Sequence, residues 1–537
     1  MAGMTRDMAR LQAGEFDLLV VGGGIHGLFT AYDAAARGMS VALIDRGDLG
    51  SGISFNHQRT IHGGLRALQS GHIRKCQEQI RERRAWARIA PHLLRPLPFL
   101  IGTYRGTRRS RTAVRLGFKL YDFVGRSRNA NVLPELHLPN GRLESAATTR
   151  RLSPGVNTSR LSGGAIWYDY QTVHPDRLTW TVALAADQAG AVVCTYAEMV
   201  APRRDGARVT GATVRDVMSG ESLEVRAKAV VFAAGAGLAA LQGQCGVSGA
   251  APLVLAMNLL LDRPAKDISI AAPSSRGRMF TAVPWRGHVL VGTWQSDDEV
   301  QAGDDTPLAA SVDACLAEAA SAFPAMAPTR ADIRFVHCGL VPAQTTAKGL
   351  ELMAESRVIV HQEAPGLVSI VGVKYTTARL TAERAVDAVV NLTGAQARPC
   401  RTGTALLPHA DVADSDGLLQ ETCQLLGVRL DRDVQAHLAG WYGTEASAVL
   451  RCAHEAKAMA RLSAESPVLE GELNYAIREA AAVRLEDVVF RRTPLCSAGR
   501  PGADALGRAA DIMAAMCGWT PERRDEELAR VHARLVI

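Results

Sequence analysis

No apolar run in this chain of 537 residues approaches the roughly 18 positions that a membrane-spanning helix requires. The longest candidate, residues 230–241, is broken by Gly235 and Gly237 and reads as a strand running into a turn. The opening segment MAGMTRDMARLQAGEF lacks the apolar core of a secretory leader, so a cytoplasmic location is expected. Ten cysteines form no C-x-x-C pair and no cluster with histidine, so no metal site is indicated and the thiols read as reduced and mostly buried. Internal repeats and low-complexity tracts are also missing. Basic residues exceed acidic ones, 61 against 54, but they are not interleaved with aromatics and no nucleic-acid motif accompanies them. Nucleic acid is therefore not an expected partner. Arginine is concentrated at 81–88 (RERRAWAR) and 103–115 (TYRGTRRSRTAVR). These stretches read either as solvated faces or as a contact with an anionic membrane surface.

What is present begins with residues 16–45, FDLLVVGGGIHGLFTAYDAAARGMSVALID. A short apolar strand runs into Gly22, Gly24 and Gly27 in G-x-G-x-x-G spacing, a helix follows, and a second strand ends in Asp45. Each part has a physical task in holding a dinucleotide. Gly22 permits the tight turn, Gly24 admits a pyrophosphate, Gly27 lets helix and strand approach, and Asp45 lies where a ribose hydroxyl would sit. The helix N-terminus offers unpaired N–H groups to the negative charge.

At this length two or three domains are expected, and 47% apolar with 21% charged residues suits a soluble globular protein. Residues 74–90 read as an arginine-rich helix and 91–160 as an insertion of loops and short helices. A helix at 176–189, a strand at 191–196 and a hairpin about Ser219-Gly220 follow. Between 251 and 345, short strands such as MFTAVPW, HVLVGTW and ADIRFVHCGL flank one helix at 309–322, a pattern suited to a largely antiparallel sheet. Residues 366–392 return to strand, glycine turn and long helix. Beyond about 407 the periodicity is helical throughout.

The expected fold class is α/β and α+β. A Rossmann-like dinucleotide-binding domain is assembled from 1–75, 160–245 and 355–395, a substrate or cap domain from 76–159 and 246–354, and a helical C-terminal domain from 400–537.

GGGIHG with DAAARGMSVALID, then IHGGLR at 61–66, VPW and VGT at 283–293, GVKYTTARLTAE at 372–383, WYG at 441–443 and FRRT at 490–493 together give a specific match. The chain resembles the FAD-dependent glycerol-3-phosphate dehydrogenases, a branch of the glycine/D-amino-acid-oxidase-like flavoproteins, over nearly its whole length. The resemblance implies FAD as cofactor, oxidation of a secondary alcohol on a phosphorylated substrate with hydride passing to flavin N5, and a quinone or oxygen as electron acceptor. By position it assigns His62, Arg66 and Lys374 to the substrate pocket. Arg66 and Lys374 suit a phosphate dianion, and His62 serves as base or as orienter of the hydroxyl. Structural alternatives stand beside each: His62 bonding the loop backbone, Arg66 in a surface ion pair, and Lys374 touching only the flavin. Ser54 and Arg59 would lie near the pyrophosphate or the flavin, and Gly235 and Gly372 along the cofactor.

Departures from the family pattern fall on the substrate side. Ala67 replaces a tyrosine, and Gly339-Leu340-Val341-Pro342 lacks the phosphate-binding arginine of G-V-R-P. Gly292-Thr293-Trp294-Gln295 replaces G-T-T-D, with Trp294 expected as an aromatic wall, and Ala233-Ala234-Gly235-Ala236-Gly237 replaces A-T-G-P-W. Arg278, Arg286 or Arg334 would have to restore the lost charge. His57, in SFNHQRT, stands one residue out of register with the histidine that attaches FAD covalently in some of the wider superfamily. Two other functions remain open: an amine or hydroxy-acid oxidase, with Arg66 and Lys374 gripping a carboxylate, and a flavin-binding relative without turnover.

Overall fold

A computed structural model describes residues 3–535 apart from 108, 305, 348 and 412–414. Two sheets and a bundle of helices make up the chain. The first sheet holds eight strands. Its core is five parallel strands in the spatial order Val192–Cys194, Val41–Ile44, Glu15–Val21, Ser222–Phe232 and Leu367–Val371. Leu18, Leu19 and Val20 are fully buried, because a parallel sheet is covered on both faces and its strands must be apolar throughout. The helices Ile25–Ala36, Pro175–Gln188 and Ala378–Thr393 pack on one face through small side chains such as Ala31, Ala34, Ala183 and Ala382. Antiparallel strands Ala197–Asp205 and Arg208–Asp216 extend the sheet beside Ser222–Phe232.

The second sheet has ten strands, antiparallel except where Ser269–Pro273 runs parallel to Leu94–Tyr104. One of its faces packs on the helix Ala309–Ala322, through Met257, Val291, Cys315 and Ala319. The other meets the C-terminal helices, through Phe99, Trp285, Phe335 and Phe490. Those helices run Ser415–Leu426, Arg432–Tyr442, Ala446–Glu455, Glu470–Glu479, Ala503–Cys517 and Pro521–Leu535, so the tail is helical as its periodicity indicates.

The pairing revises three expectations. The segment 91–160 contains an 11-residue strand, Leu94–Tyr104, inside the second sheet; its prolines at 96 and 98 disguise it as loop. Its partner Leu161–Thr172 belongs to the same sheet, so the second domain begins inside the range 160–245 assigned to the first. The stretch 81–88 is no solvated basic face. Arg83 is buried against Asp169, Glu82 is buried against Arg379, and Trp86 lies in the core.

Candidate active site

The turn after the first strand is built as the glycine spacing requires. Gly22 adopts φ +113°, and a Cβ there would meet the Ala233 carbonyl oxygen at 2.6 Å; at Gly27 it would meet the Gly22 oxygen at 1.8 Å. Packing alone therefore demands these two glycines. Gly24 is different, since within 4 Å its Cβ would meet only the Ser54 hydroxyl at 3.3 Å. Gly235, at φ +54° beyond the fourth parallel strand, opens onto free space within the same radius. Gly372 faces the His26 ring, which a Cβ would approach to 2.7 Å, and a cavity of about 20 Å³ lies between Gly235 and Gly372. Asp45 accepts the backbone N–H of Gly23 at 2.6 Å and of Gly47 at 2.8 Å, and Ser54 accepts the Ile25 N–H at 2.9 Å. Ser54 thus satisfies one of the free amides at the helix start.

Loop 55–61 leads from this turn to the second sheet. The ring of His57 stacks on Tyr375 at 4.5 Å, and its Nδ1 accepts the Arg59 N–H at 3.1 Å. Burial, with Arg59 beside it, holds His57 well below the ordinary histidine range and therefore neutral. The Arg59 guanidinium lies 4.6 Å over the Trp285 ring, bonded to the Phe55 and His57 carbonyls and the His337 ring, and burial pushes its pKa down to about 9.

The segment 61–66 reaches the other end of the site. His62 Nδ1 lies 3.2 Å from Asp169 Oδ2 on the strand Leu161–Thr172, and its backbone N–H donates to the Thr376 hydroxyl at 3.1 Å. The second bond ties IHGGLR to VKYTT, more than 300 positions away in the chain, and Arg66 lies close enough to Lys374 to act on its charge. Asp169 is buried, and it also accepts the Gly63 N–H at 2.7 Å and a bond from the buried Arg83. Burial pushes its carboxyl up, but His62 and Arg83 more than offset this and hold it below the usual carboxylate range. The His62 side chain is 52% exposed, so its outer nitrogen faces the open side. Lys374, at φ +61°, has its pKa lowered by burial and by Arg66 and Lys75, while Glu355 opposes them. These groups form a cationic wall beside a histidine fixed by a carboxylate. Asp169 and Arg83 carry no motif and could not have been singled out from sequence; only the pairing of distant strands reveals them.

The substrate-side substitutions divide. Val341 stands at an alternate position with His337 and Gly339 in the strand Ile333–Thr346, and Gly339 faces Ile53 of the cofactor loop. Trp294 is not a pocket wall. It is buried in the apolar cluster under the sheet, against the helix Ala309–Ala322. The three arginines considered as replacements are engaged elsewhere: Arg278 with Asp297 and Glu318, Arg334 with the Ala498 carbonyl and Asp262, and Arg286 with His174 and the Pro494 carbonyl.

The sequence profile of the FAD dependent oxidoreductase family matches residues 17–384, and that of the C-terminal domain of alpha-glycerophosphate oxidase matches 380–524. Glycerol-3-phosphate dehydrogenase 2 of Mycobacterium bovis is 34% identical over 98% of this chain and 89% of its own length. The chain belongs to the FAD-dependent glycerol-3-phosphate dehydrogenase family. The human mitochondrial glycerol-3-phosphate dehydrogenase is 30% identical over 96% of this chain and 72% of its own. The glycerol-3-phosphate dehydrogenase of Bacillus halodurans, solved in complex with FAD, superposes with a TM-score of 0.76 over 98% of this chain and 96% of its own, at 24% identity. The family's fold and cofactor fit the residues present: the openings at Gly24 and Gly235 are cradles that a Cβ would narrow, and His57 Nε2 and Arg59 Nε are buried polar atoms without a partner among the described residues.

Proposed function

We propose that this family member oxidises the secondary alcohol of glycerol 3-phosphate, or of a related polyol or sugar phosphate, to the ketone. The observation that carries this reading is the His62–Asp169 pair set beside Arg66 and Lys374. Gly22, Gly24, Gly27, Asp45 and Ser54 hold the ADP half of FAD, with Gly235 and Gly372 along its length and Arg59 supporting the loop from beneath. Bound FAD supplies the hydride acceptor, and a quinone or oxygen takes up the electrons afterwards. Asp169 accepts the proton-bearing Nδ1 of His62 and so leaves the lone pair on Nε2, where the substrate hydroxyl proton is received. Arg66 and Lys374 bind the phosphate, each charge-assisted bond contributing about 1.5–3 kcal/mol. Anaerobic addition of glycerol 3-phosphate to the yellow protein is expected to bleach its visible flavin band. A band untouched by every polyol phosphate would refute the substrate assignment.

Val341 favours a second reading. Without the family's guanidinium the phosphate site is weakened by about 1–3 kcal/mol, and Arg66 with Lys374 would serve a hydroxy-acid or amino-acid carboxylate. Comparing kcat/KM for glycerol 3-phosphate and for 2-hydroxy and amino acids separates the two.

A peripheral seat on the inner face of the plasma membrane is supported by the helix Arg111–Val124. Leu116, Leu120 and Phe123, at 68%, 43% and 67% exposure, share one stripe of this helix, flanked by the exposed Arg115, Lys119 and Arg126. Among the described residues no helix is long and apolar enough to cross a membrane. Arg108, within the same basic stretch, lies outside the described residues. Vesicles rich in anionic lipid are expected to co-sediment the protein at low salt and to release part of it at high salt. Absence of binding at low salt would remove the membrane from the account.

A further inference from the structure

Loop 46–55 has two sides, and each is committed to a different part of the molecule. Toward the glycine turn, the Gly50 N–H donates to the Gly23 carbonyl at 2.9 Å and Ser54 accepts the Ile25 N–H. Toward the C-terminal helices, Asp48 is 1% exposed and receives two bonds from Arg492, at 2.9 and 2.7 Å, and one from Arg491. Arg491 continues to Asp487 at 2.8 Å, and Asp487 accepts the Tyr196 hydroxyl at 2.6 Å, at the far edge of the parallel sheet. Arg534, on the last helix, lies 5.0 Å over the Phe55 ring and donates to the Ser51 carbonyl at 3.4 Å. The loop that shapes the cofactor turn is thus also the docking surface of a unit some 440 residues downstream.

We propose that the C-terminal helical unit is a clasp on the cofactor loop, so that its docking and the binding of FAD at the glycine turn are one coupled equilibrium. Asp48 and Arg534 are its positioning residues. The buried ion pairs explain why the coupling is tight: removing the loop leaves the desolvated Arg492 without a carboxylate and Arg491 hydrogen-bonded to Asp487 alone, so the C-terminal unit resists any loop position other than the one that frames the turn. The reverse also holds, because coupling between sites is reciprocal, and a dinucleotide that orders the loop must stabilise the distant helices. This inference rests on the reading of the turn as the FAD site.

The test compares apoprotein and FAD-loaded protein, as wild type and as Arg534→Ala. The Arg534 side chain is 31% exposed, which makes it the milder substitution, and Asp48→Asn follows as the severe one. FAD affinity by flavin fluorescence, thermal unfolding with and without FAD, and amide exchange across 485–492 and 521–535 are measured. FAD is expected to slow exchange in both C-terminal segments but not in the helix Ala309–Ala322. Arg534→Ala is expected to weaken FAD binding by about five- to tenfold and to shrink the gain in Tm that FAD confers. A merely structural arginine would lower both Tm values equally and leave affinity unchanged. Unaltered exchange in the C-terminal segments, with affinity within about twofold of wild type, would overturn the clasp. Should Arg534→Ala not fold, wild-type exchange decides alone. A wild-type apoprotein that takes up no FAD would instead overturn the cofactor reading beneath it.

Discussion

The glycine turn after the first strand and the face that carries His62, Arg66 and Lys374 are built on opposite plans. At the turn, short side chains and backbone groups satisfy one another: Gly23 with Asp45, Gly50 with Gly23, Ile25 with Ser54. The positions are dictated by contacts closer than a methyl group permits. At the face proposed for substrate, charged side chains stand exposed, and their order comes from charged partners: the buried Asp169 and Arg83 under His62, and the exposed Glu355 near Lys374 and Lys75. A steric plan tolerates almost no substitution. A plan that rests on charged supports can be retuned one residue at a time.

The sharpest way to break the contrast is at Gly27. Gly27→Ala places a methyl group 1.8 Å from a backbone oxygen, which no side-chain movement relieves. The expected outcome is purified protein without flavin absorbance; a yellow variant of normal stoichiometry would show that the turn is not under steric control. Asp169→Asn is next. It keeps the shape but removes the charge that fixes the Nδ1–H tautomer of His62 and neutralises Arg83. We expect flavin content to be retained, kcat to fall about a hundredfold or more with its pH profile displaced, and stability to drop by about 3 kcal/mol. Steady-state kinetics with denaturant unfolding checks both, and an unchanged kcat would demote His62 to a structural role. The smallest expected effect sharpens the comparison rather than breaking it. Val341→Arg returns a guanidinium to the strand Ile333–Thr346 and is expected to lower KM for glycerol 3-phosphate about tenfold with little change in kcat. An unchanged KM would favour a substrate without phosphate.

Legibility in the sequence follows the same division. The parallel strands and the glycine turn were readable because period, glycine spacing and a terminal acid coincide within 30 neighbouring positions. The strands Met279–Trp285 and His288–Gln295 and the helix Ala309–Ala322 were equally plain. The strand Leu94–Tyr104 was not, because Pro96 and Pro98 carry the signature of loop, and both are accommodated in pairing with Leu161–Thr172. Trp294 was misplaced because its position was carried over from the family's G-T-T-D; the register shifts between Met257 and Asn258 opposite it, and its ring packs under the sheet. Arg83 looked like surface charge because a helix rich in arginine is usually solvated; a buried acid on a strand 86 positions away made it an interior ion pair.

Local chain chemistry by itself determined the strand–glycine–helix turn and the family, because each depends on residues close together along the backbone or on a motif that travels intact. Only the tertiary structure decided which carboxylate holds His62, where the arginines spend their charge and which loop the C-terminal helices grip. Those are contacts between segments separated by tens to hundreds of residues, and burial, which sets their strength, is a property of the folded whole.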